Sequence, residues 1–369
     1  MHILPFKALF PNMELIPSPD YFFATVREEF PSYFQGGFFH QAPDDGFYLY
    51  QIEDNRRDYL GLIACVDLAD YASGAIRQHE QTLADNEQKQ MQLALHRKAG
   101  VKPVLLTYPA QETLELWMHD YVKVRSPLLD VSIPSEGQRH RIWAVHDPSD
   151  IAILQQLFLQ LVPVSYIADG HHRIAAASLM HQKLENPLEQ DHYGTLIAAF
   201  FADSELEILD FNRVVDALSD ISAARFMAHL SRYFEIECLD QPQKPTRKHE
   251  LTMLLQRDWY RLQWRPHILE SHRSAWQSLD AALFNEFVLS EILGIQNVRN
   301  DARVEYVEGP KGLDGLRKKA AKSEYSVAFC LYPIQITDLF ALADARQMLP
   351  PKSTWFEPRM KNGMLVQAF

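Results

Sequence analysis

The chain has 369 residues, 47% hydrophobic and 23% charged, which allows one large core or two intertwined domains of ordinary globular composition. Its 48 acidic residues outnumber 36 Lys and Arg, and the net charge of −12 excludes a global attraction to nucleic acid or an anionic membrane while permitting a local basic pocket. No apolar run approaches the roughly 20 residues that span a bilayer, and the start, Met1 to Lys7, lacks a signal-peptide core. The cysteines Cys65, Cys238 and Cys330 show no CxxC spacing and read as buried free thiols of a cytoplasmic protein.

From the N-terminus, Asp20 to Phe34 predicts a helix with Phe22, Phe23, Val26 and Phe30 on its inner side. Phe47 to Ile52 and Tyr59 to Val66 predict a hairpin around the polar turn Asp54 to Asp58. Leu83, Met91, Leu93 and Leu95, in a run rich in Glu, Gln and Lys, predict a long helix reaching Ala99. His79-Glu80 just before it is a candidate acid/base pair, although local sequence alone favours a solvated helix start with a well-placed acid. Val104 to Tyr108 and His140 to Val145 predict strands, and Asp147-Pro148-Ser149-Asp150 opens a helix that runs to Gln160.

The densest stretch follows. Leu161 to Ala168 is apolar and strand-like, Asp169-Gly170-His171-His172-Arg173 is the turn, and Ile174 to Met180 is an alanine-rich helix. A helix start attracts phosphate or carboxylate through its N–H groups and dipole, and Gly170 lets a ligand approach the main chain. Arg173 offers a bidentate fork, His171 and His172 can move protons, and Asp169 is a candidate Mg²⁺ ligand. An N-cap and a turn explain Asp169 and Gly170 alone. Turn chemistry does not require two imidazoles and a guanidinium beside them.

Tyr193 to Phe201 is a continuous apolar strand, and the order strand, turn, helix, strand predicts a crossover unit in a mixed α/β (α+β) sheet. Leu209 to Val215 places Asn212 and Arg213 where a strand feeds a helix, so Arg213 is a second candidate anion ligand or a plain surface arginine. Residues 218 to 296 carry little visible chemistry. Val327 to Tyr332 is a strand, and near the end Pro350-Pro351 forces an extended path into Lys352, Ser353 and Thr354, a phosphate contact or a structural brace with equal weight.

Taken together, Pro5 to Leu9, His79-Glu80, Ala168 to Arg173, Asn212 to Val215, Asp301-Ala302-Arg303 and Pro350 to Phe356 resemble the bacterial domain-of-unknown-function 1015 family over nearly the whole chain. That family in turn resembles the superfamily of the chromosome-partitioning protein ParB, sulfiredoxin and the free-serine kinases. The resemblance implies a ParB/sulfiredoxin-like core in which Gly170, His171, His172 and Arg173 cradle the phosphates of ATP or ADP and Asp169 assists with Mg²⁺ or the transferred group. Glu80 would activate the substrate hydroxyl. Where relatives carry an Asp-Arg pair, this chain reads Lys89-Gln90.

The expected organisation is an N-terminal lobe over residues 1–215 holding the core, an inserted or second lobe over 216–300, and a segment over 301–369 returning to the core. The expected function is a cytoplasmic phosphotransferase acting on a small hydroxyl metabolite, free serine first. A phosphatase of a small phosphoester and a non-catalytic nucleotide-binding regulator are the alternatives, and a homodimer is left open.

Overall fold

The computed structural model describes residues 1–82, 84–184, 193–272, 277–298, 300–350 and 352–369, so Leu83 and Pro351 lie outside the described residues. The chain divides into two units, one of residues 1–78, 82–207 and 358–369, the other of 79–81 and 208–357.

In the first unit, a nine-stranded mixed sheet is formed by β1 (Ile3–Leu4), β2 (Phe47–Glu53), β3 (Asp58–Asp67), β4 (Ile76–Arg77), β5 (Val104–Tyr108), β6 (Leu129–Ile133), β7 (Gln138–Val145), β8 (Ser165–Asp169) and β9 (Thr195–Ala202). The spatial order is β4-β8-β5-β9-β3-β2-β7-β6, with β1 on β3. The β2–β3 hairpin closes where the Asp54 carboxylate accepts from the N–H groups of Arg56 (2.7 Å) and Arg57 (3.1 Å), a side-chain mimic of a backbone turn.

Helices α1 (Pro19–Gln35), α2 (Ala84–Arg97), α3 (Glu112–Lys123), α4 (Pro148–Leu161) and α5 (His171–Lys183) belong to the same unit. Their starts follow from sequence. Ser18 accepts from Tyr21 N at 3.3 Å ahead of Pro19, and Asp147 accepts from Ser149 N at 2.8 Å ahead of Pro148. Phe22, Phe23, Val26 and Phe30 are buried on α1, as their spacing requires. One sheet face meets Leu114 and Met118 of α3, Leu154 and Phe158 of α4 and Ile174 of α5, packed on Leu62, Leu106, Ile167 and Phe200. The opposite face is buried too, through Tyr48, Tyr50, Ile63, Leu105 and Phe201. Central strands buried on both sides explain the unbroken apolar runs of β3 and β9.

Two expectations need correction here. β8 runs antiparallel to β5 while β9 runs parallel to it, so β8 and β9 point in opposite directions with β5 between them, and the β8–α5–β9 segment is no parallel crossover unit. Cys238 is exposed, unlike Cys65 and Cys330; it lies on a strand whose outward positions face solvent.

The second unit is built on a six-stranded sheet, β10 (Phe211–Asp216), β11 (Phe234–Leu239), β12 (Glu250–Leu255), β13 (Asp258–Trp264), β14 (Val304–Glu308) and β15 (Ser326–Leu331), in the order β11-β13-β12-β15-β10-β14. Every pairing in it is antiparallel. Phe226, Phe234, Trp264, Phe284 and Phe329 fill its core. This moves the expected boundaries. β10 pairs with β14 and β15, so residues 208–215 and 301–357 belong to this unit, and only 358–369 returns to the first. Pairings that distant in sequence carry no local signal. Among the described residues, no helix is long and apolar enough to cross a membrane.

The returning segment is tied in by Gln367. Its Oε1 accepts from Ile197 N (2.7 Å) and its Nε2 donates to Thr195 Oγ1 (3.0 Å), both on β9. Gln367→Ala leaves a buried N–H without its acceptor and is expected to cost about 1–3 kcal/mol in urea unfolding, where an unchanged midpoint would mean that water replaces the side chain.

Candidate functional site

Strand β8 pairs in register with β5 as far as Ile167, opposite Leu106, and then Asp169 stands opposite Leu105, so Ala168 is an extra, bulged residue. A bulge bends a strand and re-aims the side chain that follows. Asp169 is thereby turned out at the strand end. Because β5 is antiparallel to β8, the start of β5 lies beside the end of β8, which brings Lys102 to the carboxylate.

Gly170 takes the left-handed conformation (φ 106°, ψ 22°) and begins α5. A Cβ built there would sit 2.5 Å from Arg173 Nη2. Only glycine both adopts this turn and leaves space for the Arg173 guanidinium to fold back over it. Arg173 Nη2 donates to Asp169 Oδ2 at 3.0 Å, Lys102 Nζ lies 3.4 Å from the same oxygen, and Arg359 Nη1 lies 3.8 Å from Oδ1. Three cations, Arg173, Lys102 and Arg359, surround one carboxylate at a helix start in a chain of net charge −12.

The electrostatics follow from that packing. Burial raises the Asp169 carboxyl, but Arg173, Lys102 and Arg359 together outweigh burial and hold it well below the usual carboxylate range. Burial lowers the Lys102 ammonium to about 8, although Asp169 opposes the shift. His171 is buried, and desolvation lowers it to about 4 against the pull of Asp169, so it is neutral at pH 7. His172 is half-buried, with Nε2 3.4 Å from Asn86 Nδ2 of α2.

As a magnesium site, Asp169 fits poorly. Both of its oxygens face cations, and among the described residues no group of three or more His, Cys, Asp or Glu side chains is placed to hold a metal ion. A hard divalent ion needs several oxygen ligands and would meet three positive charges instead.

The other expected residues lie in the second unit. Glu80 forms a bridge with Leu349, whose N–H donates to His79 O at 2.8 Å, so the pair belongs to a strand-like contact; α2 begins only at Ala84. Arg213 is corrected: it sits in mid-strand β10, 1% exposed, between the rings of Phe284 and Tyr306, with Nη1 donating to Phe211 O at 2.7 Å. It is a buried core arginine, neither at a strand-to-helix junction nor on the surface. Lys352 Nζ stands 5.5 Å above the Phe211 ring and Ser353 Oγ donates to Pro350 O at 2.7 Å, while Thr354 is half-buried. The structure thus groups Asp169, Gly170, His171, His172 and Arg173 in the first unit and Glu80, Arg213, Lys352, Ser353 and Thr354 in the second.

Sequence reasoning missed Lys102 and Arg359. Lys102-Pro103 just before a strand would have drawn notice had the antiparallel β5–β8 neighbourhood been known, whereas Arg359 carries no local signal.

A family model matches residues 9–282, under the description "Protein of unknown function (DUF1015)". The chain belongs to this family. No curated protein matches it. Solved structures with a similar fold include SbnI with C-terminal truncation from Staphylococcus aureus, at 11% identity and TM-score 0.44, covering 81% of this chain and 85% of that one. A free serine kinase in complex with AMP is similar at 12% identity and TM-score 0.38, over 82% of this chain and 92% of the other. A conserved hypothetical protein from Pyrococcus furiosus is similar at 11% identity and TM-score 0.38, over 81% and 93%.

Two outcomes check the site. Gly170→Ala is expected to cost about 1–3 kcal/mol in denaturant unfolding and to displace Arg173 from Asp169; wild-type stability would refute the stated strain. Lys102 loses its charge near pH 8, and between pH 8 and the ordinary 10.5 the unfolded chain keeps a proton the folded one has shed, so this residue's contribution to stability rises with pH there. Phosphate affinity measured by titration calorimetry is expected to fall about tenfold as pH rises through 8, the size of one charge-assisted hydrogen bond, and the profile is expected to flatten in Lys102→Met.

Proposed function

We propose that the Asp169–Arg173 turn binds the phosphates of ATP or ADP and that the protein is a phosphotransferase acting on a small hydroxyl metabolite, with free serine as the first candidate. The observation that carries this reading is the gathering of Lys102, Arg173 and Arg359 around the single Asp169 carboxylate at the glycine-led start of α5. Clustered positive charge, a planar guanidinium fork and helix N–H groups together suit a polyphosphate better than any neutral ligand. The resemblance of the turn to the nucleotide-binding loop of the ParB, sulfiredoxin and free-serine-kinase superfamily supports the same reading.

In the reaction, the acceptor hydroxyl oxygen forms a bond to the terminal phosphorus of the nucleotide while the bond to the bridging oxygen breaks. The hydroxyl proton goes to a base, and the departing ADP (from ATP) or AMP (from ADP) keeps the bridging oxygen and its negative charge. Arg173, Lys102 and Arg359 would neutralise the phosphate oxygens, His172 would donate a hydrogen bond to them, and neutral His171 would hold the turn from below. Asp169 orients Arg173 and Lys102. Glu80 is proposed as the base. The nucleotide is taken as its magnesium complex, the ion arriving as part of the substrate.

A non-catalytic nucleotide-binding regulator is the second reading, favoured by the enclosure of Asp169 among cations. Thermal shift with ATP, ADP, AMP and CTP, each with and without Mg²⁺, tests binding: at a hundredfold excess over Kd the bound state gains about 2.7 kcal/mol. Loss of that shift in Arg173→Gln is expected, and silence from every nucleotide would sink both readings. Phosphorus NMR with ATP or ADP, Mg²⁺ and serine then separates them. A phosphoester that disappears in Glu80→Gln supports transfer, and binding without product leaves the regulator.

A further inference from the structure

Beside the phosphate turn, but running away from it along α5, lies a pocket of about 70 Å³ within the first unit. One water needs roughly 10–15 Å³ by this measure, so the pocket takes the place of about five waters. Its walls are apolar: Met91 and Ala94 of α2, Ala176 and Met180 of α5, Leu196 of β9, and Phe369. Ala176 and Met180 are one helical turn apart on α5, and small side chains keep the floor open between the helices.

The charged lining has one sign. Arg27 from α1, Arg97 from the end of α2, Lys102 and Arg173 all line the pocket, and it has no Asp or Glu among its lining residues. In a chain of net charge −12, four cations without a carboxylate mark a place built for negative charge. Lys102 and Arg173 turn toward Asp169. Arg27 has only the exposed Glu28 at 3.9 Å, and Arg97 makes no ion pair among the described residues. Burial and the neighbouring Arg27 both work against the Arg97 charge, with Glu28 alone working for it. Two adjacent arginines over an apolar cavity thus share one exposed carboxylate, Glu28, between them.

We propose that this pocket binds a small amphipathic organic anion, a carboxylate or phosphate head held by Arg97 and Arg27 with an apolar body of about six carbons lying among Met91, Ala94, Ala176 and Met180. The head chemistry is shared by a free acid and by a phosphomonoester, and the pocket accepts it independently of any nucleotide at the turn. A neutral molecule of the same shape gains the apolar contacts but adds no charge partner for either arginine. A bare anion gains the charge pairing and leaves the walls wet.

Titration calorimetry on the full chain, using acetate, hexanoate, hexanol and hexyl phosphate as probes, tests the assignment. Hexanoate or hexyl phosphate is expected to bind at least tenfold more tightly than both acetate and hexanol, and the stronger of the two names the head. Arg97→Gln, on the rim, is expected to weaken binding about tenfold, and Ala94→Phe, filling the cavity, to abolish it with the melting temperature retained. Equal binding of hexanol and hexanoate, undiminished binding in Arg97→Gln, or loss in Lys102→Met alone would each overturn the proposal. The nucleotide response is read separately in the same variants. If ATP or ADP still shifts Arg97→Gln while hexanoate never binds wild type, the pocket assignment fails and the phosphate turn stands. Hexanoate binding without any nucleotide response gives the converse.

Discussion

Asp169 stands at the end of a bulged strand with Arg173, Lys102 and Arg359 around it, and the local architecture answers to that arrangement. The bulge at Ala168 aims the carboxylate, the left-handed Gly170 turns the chain at once into a helix, and the missing Cβ leaves room for Arg173 to return over its own turn. Lys102 loses hydration by being there, and burial lowers its ammonium. One carboxylate offsets part of that cost, and an incoming polyanion would offset the rest.

The two histidines of the motif divide by burial. His171 is enclosed and held neutral, so it packs at the turn as a buried imidazole. His172, one residue later, projects from the other side of the helix start beside Asn86 and keeps access to solvent. Adjacent positions on a helix point about 100° apart, which is enough to separate a buried imidazole from one that reaches solvent. The second unit handles its buried cation differently: Arg213 is stabilised by two aromatic faces and one carbonyl instead of a carboxylate.

Most of the elements were legible because their signals are local. The inner face of α1, the Asp54 hairpin, the Asp147-Pro148 helix entry and the apolar runs of β3 and β9 all followed from periodicity, capping and turn chemistry. The β8–turn–α5 segment was equally readable, down to Gly170. What failed was direction and partnership. Nothing in Leu161 to Phe201 says that β5 lies between β8 and β9, and nothing in Leu209 to Val215 says that Arg213 is buried between Phe284 and Tyr306.

By itself the sequence determined that the Asp-Gly-His-His-Arg run ends a strand and opens a helix at a glycine, because glycine conformation and helix-start chemistry are properties of a few adjacent residues. Tertiary structure alone decided the charge of that turn. Lys102 arrives through an antiparallel neighbour and Arg359 through a segment nearly 190 residues away, and together they surround the Asp169–Arg173 pair with two further cations. Coulombic interaction depends on distance in space, and sequence separation does not report it.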